Sequence, residues 1–270
     1  MFSNIYVNKI RGASDTVTVL PARPEVRAFH RSLPNYAPTP LISLPDIAKE
    51  LGIGHVLLKY EGSRLDLPAF KILGASLATA RSVAKKLNLP IVNNAKPHED
   101  SLHHLAVAAQ AADLTLYAAT DGNHGRAVAR MATYLGIRAR IYVPRVTDEI
   151  DPEAKFHIAS EGADVQIWDG DYDATVLATK SAAEDHKDGK GILISDTPLE
   201  AGDEVAQWIV DGYQTMFDEI EEQVIDITGQ QNVTHVITPV GSGSLCQAVR
   251  IFPSASFLIV RNFRELWAVI

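Results

Sequence analysis

A chain of 270 residues that is 46% hydrophobic and 21% charged carries enough apolar side chain for a real core, and no apolar run in it reaches bilayer-spanning length. Its net charge of -8 gives no long-range attraction to phosphate backbones, and no cluster of Lys and Arg alternates with aromatics, so neither a nucleic-acid nor a membrane partner is expected. The single cysteine, Cys246, forms no internal disulfide, and Lys9, Arg11 and Asp15 interrupt the stretch where a secretory signal needs apolar residues, so a reducing cytoplasm is the expected setting.

Pro21, Pro24, Pro34, Pro38, Pro40 and Pro45 predict an extended, turn-rich entry, because each proline fixes its own backbone and biases its predecessor away from helix. Ile72, Ala75, Thr79, Val83 and Leu87 then line one face of a helix that ends near Asn88 and Pro90. Beyond residue 90, short β-type runs alternate with helical patterns, the signature of crossover units and a mostly parallel sheet. Leu114 to Thr120, Arg140 to Val143, Val165 to Trp168 and Ile192 to Ser195 read as strands, and Gly125 to Leu135, Pro152 to Glu161 and Asp171 to Asp185 as the helices between them. Val205, Trp208, Ile209, Tyr213, Met216, Ile220 and Val224 recur at helical spacing and predict one long amphipathic helix. Val233 to Thr238 and Phe257 to Val260 read as two more strands, with a short helix over Leu245 to Val249 between them. The fold class is therefore α/β.

Three segments carry chemistry. In Pro68 to Ala75 a single lysine, Lys71, stands at a helix start among apolar neighbours, where burial lowers an amine's pKa and makes it a nucleophile or base. The plainer alternative is a side chain whose stem lies on apolar surface and whose tip reaches water. The second segment, Thr120 to Gly125, joins a strand to a helix, and its polar residues lie at a strand's carboxyl end, where ligands bind in open α/β sheets; a capped turn uses the same residues. The third, Pro239 to Leu245, offers glycines for close backbone approach, serine hydroxyls and a helix N-terminus, the parts of a phosphate cradle; a glycine-rich connection with no ligand uses the same residues. Its spacing matches neither the dinucleotide fingerprint nor the P-loop.

Lysine, Asn-bearing loop and phosphate cradle, in this order, resemble the fold-type II pyridoxal-phosphate enzymes, the tryptophan synthase β-like group, with Thr39-Pro40-Leu41 as the early Thr-Pro-Leu. Within that group the chain is similar to the diaminopropionate ammonia-lyases, through Arg31 to Pro34, Tyr60 to Arg64, Ala69 to Lys71 and Ala119 to Val128. The resemblance runs over residues 25 to 249 and fades beyond, where the family continues with further strands, so the fold is expected to be incomplete at its C-terminus.

The resemblance implies two open α/β domains. Residues 1 to 90 and 195 to 270 form the large cofactor-binding one and 91 to 194 the small inserted one. It implies pyridoxal 5'-phosphate held by Lys71, with Asn123 on the ring oxygen and Gly241, Ser242, Gly243, Ser244 and Leu245 on the phosphate. Related serine and threonine dehydratases usually carry a small residue in place of Asp121, and Ser195-Asp196-Thr197 matches the family's second acid. Asp121 or Asp196 is thus expected to remove the α-proton of 2,3-diaminopropionate, releasing ammonia and then pyruvate. Family habit implies a homodimer. A serine or threonine dehydratase of the same fold type, and a catalytically silent relative, remain alternative readings.

His98, Glu99, Asp100, His103 and His104 cluster, but adjacent histidines point apart on a helix and a solvated helix start accounts for the acids, so no metal site is expected. Cys246 stands at a helix start, which lowers a thiol's pKa, or serves as a small hydrophobe.

Overall fold

A computed structural model describes residues 23–90, 101–145, 152–229, 233, 235–251 and 256–259. Lys9, Arg11, Asp15, Pro21, the cluster at 98–100 and the chain from Val260 onward lie outside the described residues.

The proline-rich entry is less extended than its composition predicts. Helices α1 (Pro24–Arg31) and α2 (Pro45–Leu51) each open on a proline. At the first helical position a proline has no N–H to lose and its fixed φ already suits the helix, so two of the prolines start helices instead of preventing them. Strands β1 (Leu41–Ser43) and β2 (Leu57–Lys59) flank α2 and pair antiparallel, Leu41 opposite Lys59.

Helix α3 (Lys71–Lys86) runs through the middle of the molecule. Every residue from Ile72 to Ala84 is buried, so the single apolar face read from the sequence understates a helix covered all round.

After α4 (Ser101–Ala111) come β3 (Thr115–Ala119), α5 (Asn123–Leu135), β4 (Arg138–Pro144), α6 (Pro152–Ser160), β5 (Asp164–Trp168), α7 (Tyr172–Glu184) and β6 (Gly191–Leu193). Their strands form one parallel sheet in the order β5-β4-β3-β6. All five residues of β3 are buried, as befits a central strand with α5 packed on one face and α7 on the other. The chain moves outward from β3 to β4 and β5, then returns to lay β6 on the opposite side of β3. That reversal opens a crevice at the carboxyl ends of β3 and β6, the place where open α/β sheets take ligands.

The long helix expected over Val205 to Val224 is two helices, α8 (Glu204–Gly212) and α9 (Gln214–Thr228), which meet at Tyr213. Tyr213 keeps right-handed helical dihedrals, φ -69 and ψ -13, so the apolar phase carries across while the hydrogen-bond ladder tightens: Met216 N–H donates to Tyr213 O at 3.0 Å. Helix α8 crosses α3 at two glycines. A Cβ on Gly212 would lie 2.4 Å from the Leu73 carbonyl oxygen, and one on Gly74 2.8 Å from that of Ile209. Strand β7 (His235–Thr238), α10 (Ser244–Ile251) and β8 (Ser256–Ile259) follow, with β7 and β8 parallel. Among the described residues no helix is long and apolar enough to cross a membrane.

The Tyr60 to Arg64 segment proves structural. Arg64 is fully buried, its Nε donating to Glu61 at 2.8 Å and its Nη1 to Glu219 Oε1 at 2.7 Å, while Lys59 Nζ reaches Glu219 Oε2 at 2.8 Å. Two cations and two carboxylates thus satisfy one another and fasten the β1–β2 hairpin to α9.

Candidate active site

Lys71 is the first residue of α3, behind Phe70, and its Nζ donates to Asp196 Oδ2 in a closely paired salt bridge. Asp196 follows the end of β6 and is 3% exposed. Its other partners are Ser242 Oγ, which donates to Oδ2 at 3.2 Å, and the Tyr172 hydroxyl, which donates to Oδ1 at 3.4 Å. Ser242 and Ser244 hydroxyls stand 3.4 Å apart. The structure therefore brings the lysine, the second acid and the serine loop to one place, although they lie far apart in the chain.

Phe70, Lys71 and residues 239–246, Cys246 among them, line a small cavity of about 100 Å³. A larger hollow of about 540 Å³, beside Lys85 and Trp208, contains none of the residues singled out by the sequence. The lining of the smaller one has the chemistry for a phosphate and an aldehyde. Cβ positions at Gly241 and Gly243 meet nothing within 4 Å, and Gly243 has φ +95, a conformation other residues rarely adopt. Backbone there is open to an anion, Ser242, Ser244 and Lys71 share the lining, and α10 begins at Ser244.

The Asn loop occupies the crevice beside β6. Thr120 Oγ1 accepts from the N–H groups of Gly122 and Gly125 at 2.9 and 3.0 Å, which sets the turn into α5. A Cβ on Gly125 would lie 2.3 Å from Thr120 Cγ2, so the turn requires glycine there. Asp121 and Asn123 are exposed, whereas His124 is buried with Nε2 2.9 Å from Ile194 O, two residues before Asp196. That contact ties the turn after β3 to the turn after β6.

Electrostatics reverse one expectation. Burial does disfavour the Lys71 ammonium, but Tyr213 and Asp196 outweigh it and hold the amine above its ordinary value. Burial pushes Asp196 the other way from its partners; His124 and Lys71 win and hold it down at about 2. Tyr172 is pushed up to about 12, first by burial and then by Asp196. Burial holds the His124 imidazole below its ordinary range.

Residues 33–252 match the family model described as pyridoxal-phosphate dependent enzyme. The chain belongs to that family. Among pyridoxal-phosphate dependent enzymes it is 37% identical to the diaminopropionate ammonia-lyase of Salmonella typhimurium over 226 residues, 83% of this chain and 53% of the relative. The corresponding enzyme of Escherichia coli K12 is 35% identical over 83% of this chain and 52% of its own. The apo crystal structure of the Escherichia coli enzyme superposes with a TM-score of 0.75 at 31% identity, covering 88% of this chain and 63% of that one. The chain spans about half the length of the curated relatives it matches.

Tyr172, His124 and Tyr213 escaped assignment from sequence. His124 lies inside the Thr120 to Gly125 segment, so its position was visible, but the Ile194 contact was not. Tyr172 and Tyr213 sit on helical patterns where nothing distinguishes a site phenol from a core ring. Of the cluster considered for a metal, His103 and His104 are described, with ring centroids 6.1 Å apart. Among the described residues no group of three or more His, Cys, Asp or Glu could hold a metal ion.

Proposed function

We propose that this chain eliminates ammonia from 2,3-diaminopropionate, giving pyruvate and ammonia, with pyridoxal 5'-phosphate as cofactor. The observation that carries the reading is one cavity lined by both Lys71 and the Gly241 to Leu245 loop, with a buried carboxylate on the amine. Relatives of that name at 35–37% identity support the substrate. When bound, the cofactor supplies an electron sink for charge at the substrate α-carbon.

The chain's own residues divide the remaining work. Lys71 Nζ would hold the cofactor and can carry a proton. Gly241, Ser242, Gly243, Ser244 and Leu245 would hold the phosphate, and Asn123 would hydrogen-bond the ring oxygen. Asp196, held at about 2 and paired with Lys71, is a weak proton acceptor at rest and serves first to anchor the amine. Asp121, exposed in the turn between β3 and α5 and outside the lining of that cavity, is the other candidate for the α-proton, or the partner of a β-ammonium.

We further infer that residues 91 to 194 form a small domain inserted into a large one made of 1 to 90 and 195 to 270. The strands β3 to β6 all come from the first range, and Lys71 and the serine loop from the second. Closure of the two would exclude water from the reacting carbon. By family habit the assembly is a homodimer and the setting cytoplasmic.

The test is pyruvate release by the purified chain from each enantiomer of diaminopropionate and from serine, with cofactor added. Release from diaminopropionate in excess over serine is expected. Release from serine alone replaces the reading with a dehydratase, and release from none of them leaves a silent relative. The visible spectrum with added cofactor, compared with Lys71→Ala, tests the lysine; a spectrum that the substitution leaves unchanged removes the assignment.

A further inference from the structure

Tyr213 stands at the break between α8 and α9, fully buried, and its ring is wedged against the first turn of α3. The ring meets Phe70 edge-on, with centroids 5.2 Å apart at 71°. On the other side a Cβ at Gly74 would lie 2.8 Å from Tyr213 Cε1, so the ring fills the space that the missing side chain leaves. Phe70 immediately precedes Lys71, and Gly74 lies about one helical turn beyond Phe70, so the tyrosine flanks the base of the lysine side chain.

Its oxygen is unexplained by packing. The hydroxyl is buried without a hydrogen-bond partner, a state that a phenylalanine of the same shape would avoid. The charges of Lys71 and Asp196 both act on it, and the Ser244 hydroxyl acts on it from outside hydrogen-bond geometry. Burial holds the phenol above its ordinary range, so it keeps its proton near neutrality.

We propose that Tyr213 is a positioning residue for Lys71, its Oη being a second hydrogen-bond station for the ε-nitrogen when the amine leaves Asp196. The inference rests on the reading of Lys71 as the cofactor-binding lysine. In the second station an N–H of Lys71 donates to Oη, and the phenol hydrogen turns to Ser244 Oγ. Ser244 continues to Ser242 at 3.4 Å and Ser242 to Asp196 at 3.2 Å, so the serine loop joins the two stations. Because Oη accepts from nitrogen, the lone pair of the neutral amine stays free to attack a carbonyl carbon.

The test is Tyr213→Phe, which removes only the oxygen. The full chain without added cofactor is pulsed with acetic anhydride over a pH series, and acetylation of Lys71 is read by mass spectrometry against exposed Lys86 in the same sample. Loss of the second station leaves Asp196 as the resting place of the amine and removes the pose in which its lone pair is free, so Lys71 is expected to react roughly tenfold more slowly relative to Lys86. The melting temperature is expected to stay level or rise. An unchanged Lys71 to Lys86 ratio overturns the proposal, and so does a fall in melting temperature with that ratio unchanged, since the oxygen is then structural. Cofactor absorbance lost in Lys71→Ala together with an unchanged ratio in Tyr213→Phe sinks this inference alone. Absorbance that survives Lys71→Ala sinks the parent reading instead.

Discussion

The Lys71 amine rests on the carboxylate of Asp196, 125 positions further along the chain, and each holds the other in its charged form. The pair joins the start of α3 to the end of β6, so the lysine proposed to hold the cofactor is also a tether within the fold.

Asp196→Asn keeps the shape and removes the charge. The variant is expected to lose about 1.5–3 kcal/mol of stability, the range for a hydrogen bond to a charged group, with Lys71 partly rescued by water. Because Asp196 is depressed on folding, its contribution is present above the ordinary carboxylate pKa and disappears as pH falls from 3.8 towards about 2. Lys71 is raised on folding, so its share is full below the ordinary lysine value and is lost as pH rises from there through the higher folded value. Urea melts of wild type and variant across pH check this; a stability gap that is flat between pH 4 and pH 2 contradicts it.

Glu219 and Glu222 lie one turn apart on α9 and predict very different costs. Glu219→Gln leaves Lys59 and Arg64 buried and short of counter-charge, and about 3–5 kcal/mol of stability should be lost. Glu222→Gln breaks a pair with Arg27 whose carboxylate side chain is 60% exposed, and the loss should stay below about 1 kcal/mol. Denaturant titration of the two variants measures the difference, and equal midpoints would show that the buried network does not hold the hairpin to α9.

Gly243→Ala places a side chain where φ is +95, with open space around the new Cβ. The strain of roughly 1–2 kcal/mol therefore falls on the loop backbone and not on a clash. Cofactor affinity, measured by spectroscopic titration, should drop at least as much as stability does. Gly241→Ala, with no positive φ and the same open surroundings, should leave stability close to wild type.

Much of this fold was legible because periodicity is local. Every strand and crossover helix between Thr115 and Leu193 falls within a few residues of its hydrophobic pattern, and the glycines and prolines that punctuate them are local signals too. Where reading failed, the cause was longer in range or finer in detail. Pro24 and Pro45 serve equally to break a helix or to begin one, and the difference lies in where the chain is going. The break at Tyr213 leaves the 3.6-residue phase intact, so no pattern could reveal it.

The sequence by itself determined which chemical groups exist and in what order: an amine after Phe70, a polar turn after β3, a serine and glycine loop before α10. Tertiary structure alone decided their company. Placing β6 beside β3 brings Asp196 to Lys71, and that contact turns an amine that burial would discharge into one held charged. Hydrophobic pattern acts between neighbours in the chain, whereas Coulomb forces act between neighbours in space, and only the folded chain says which residues those are.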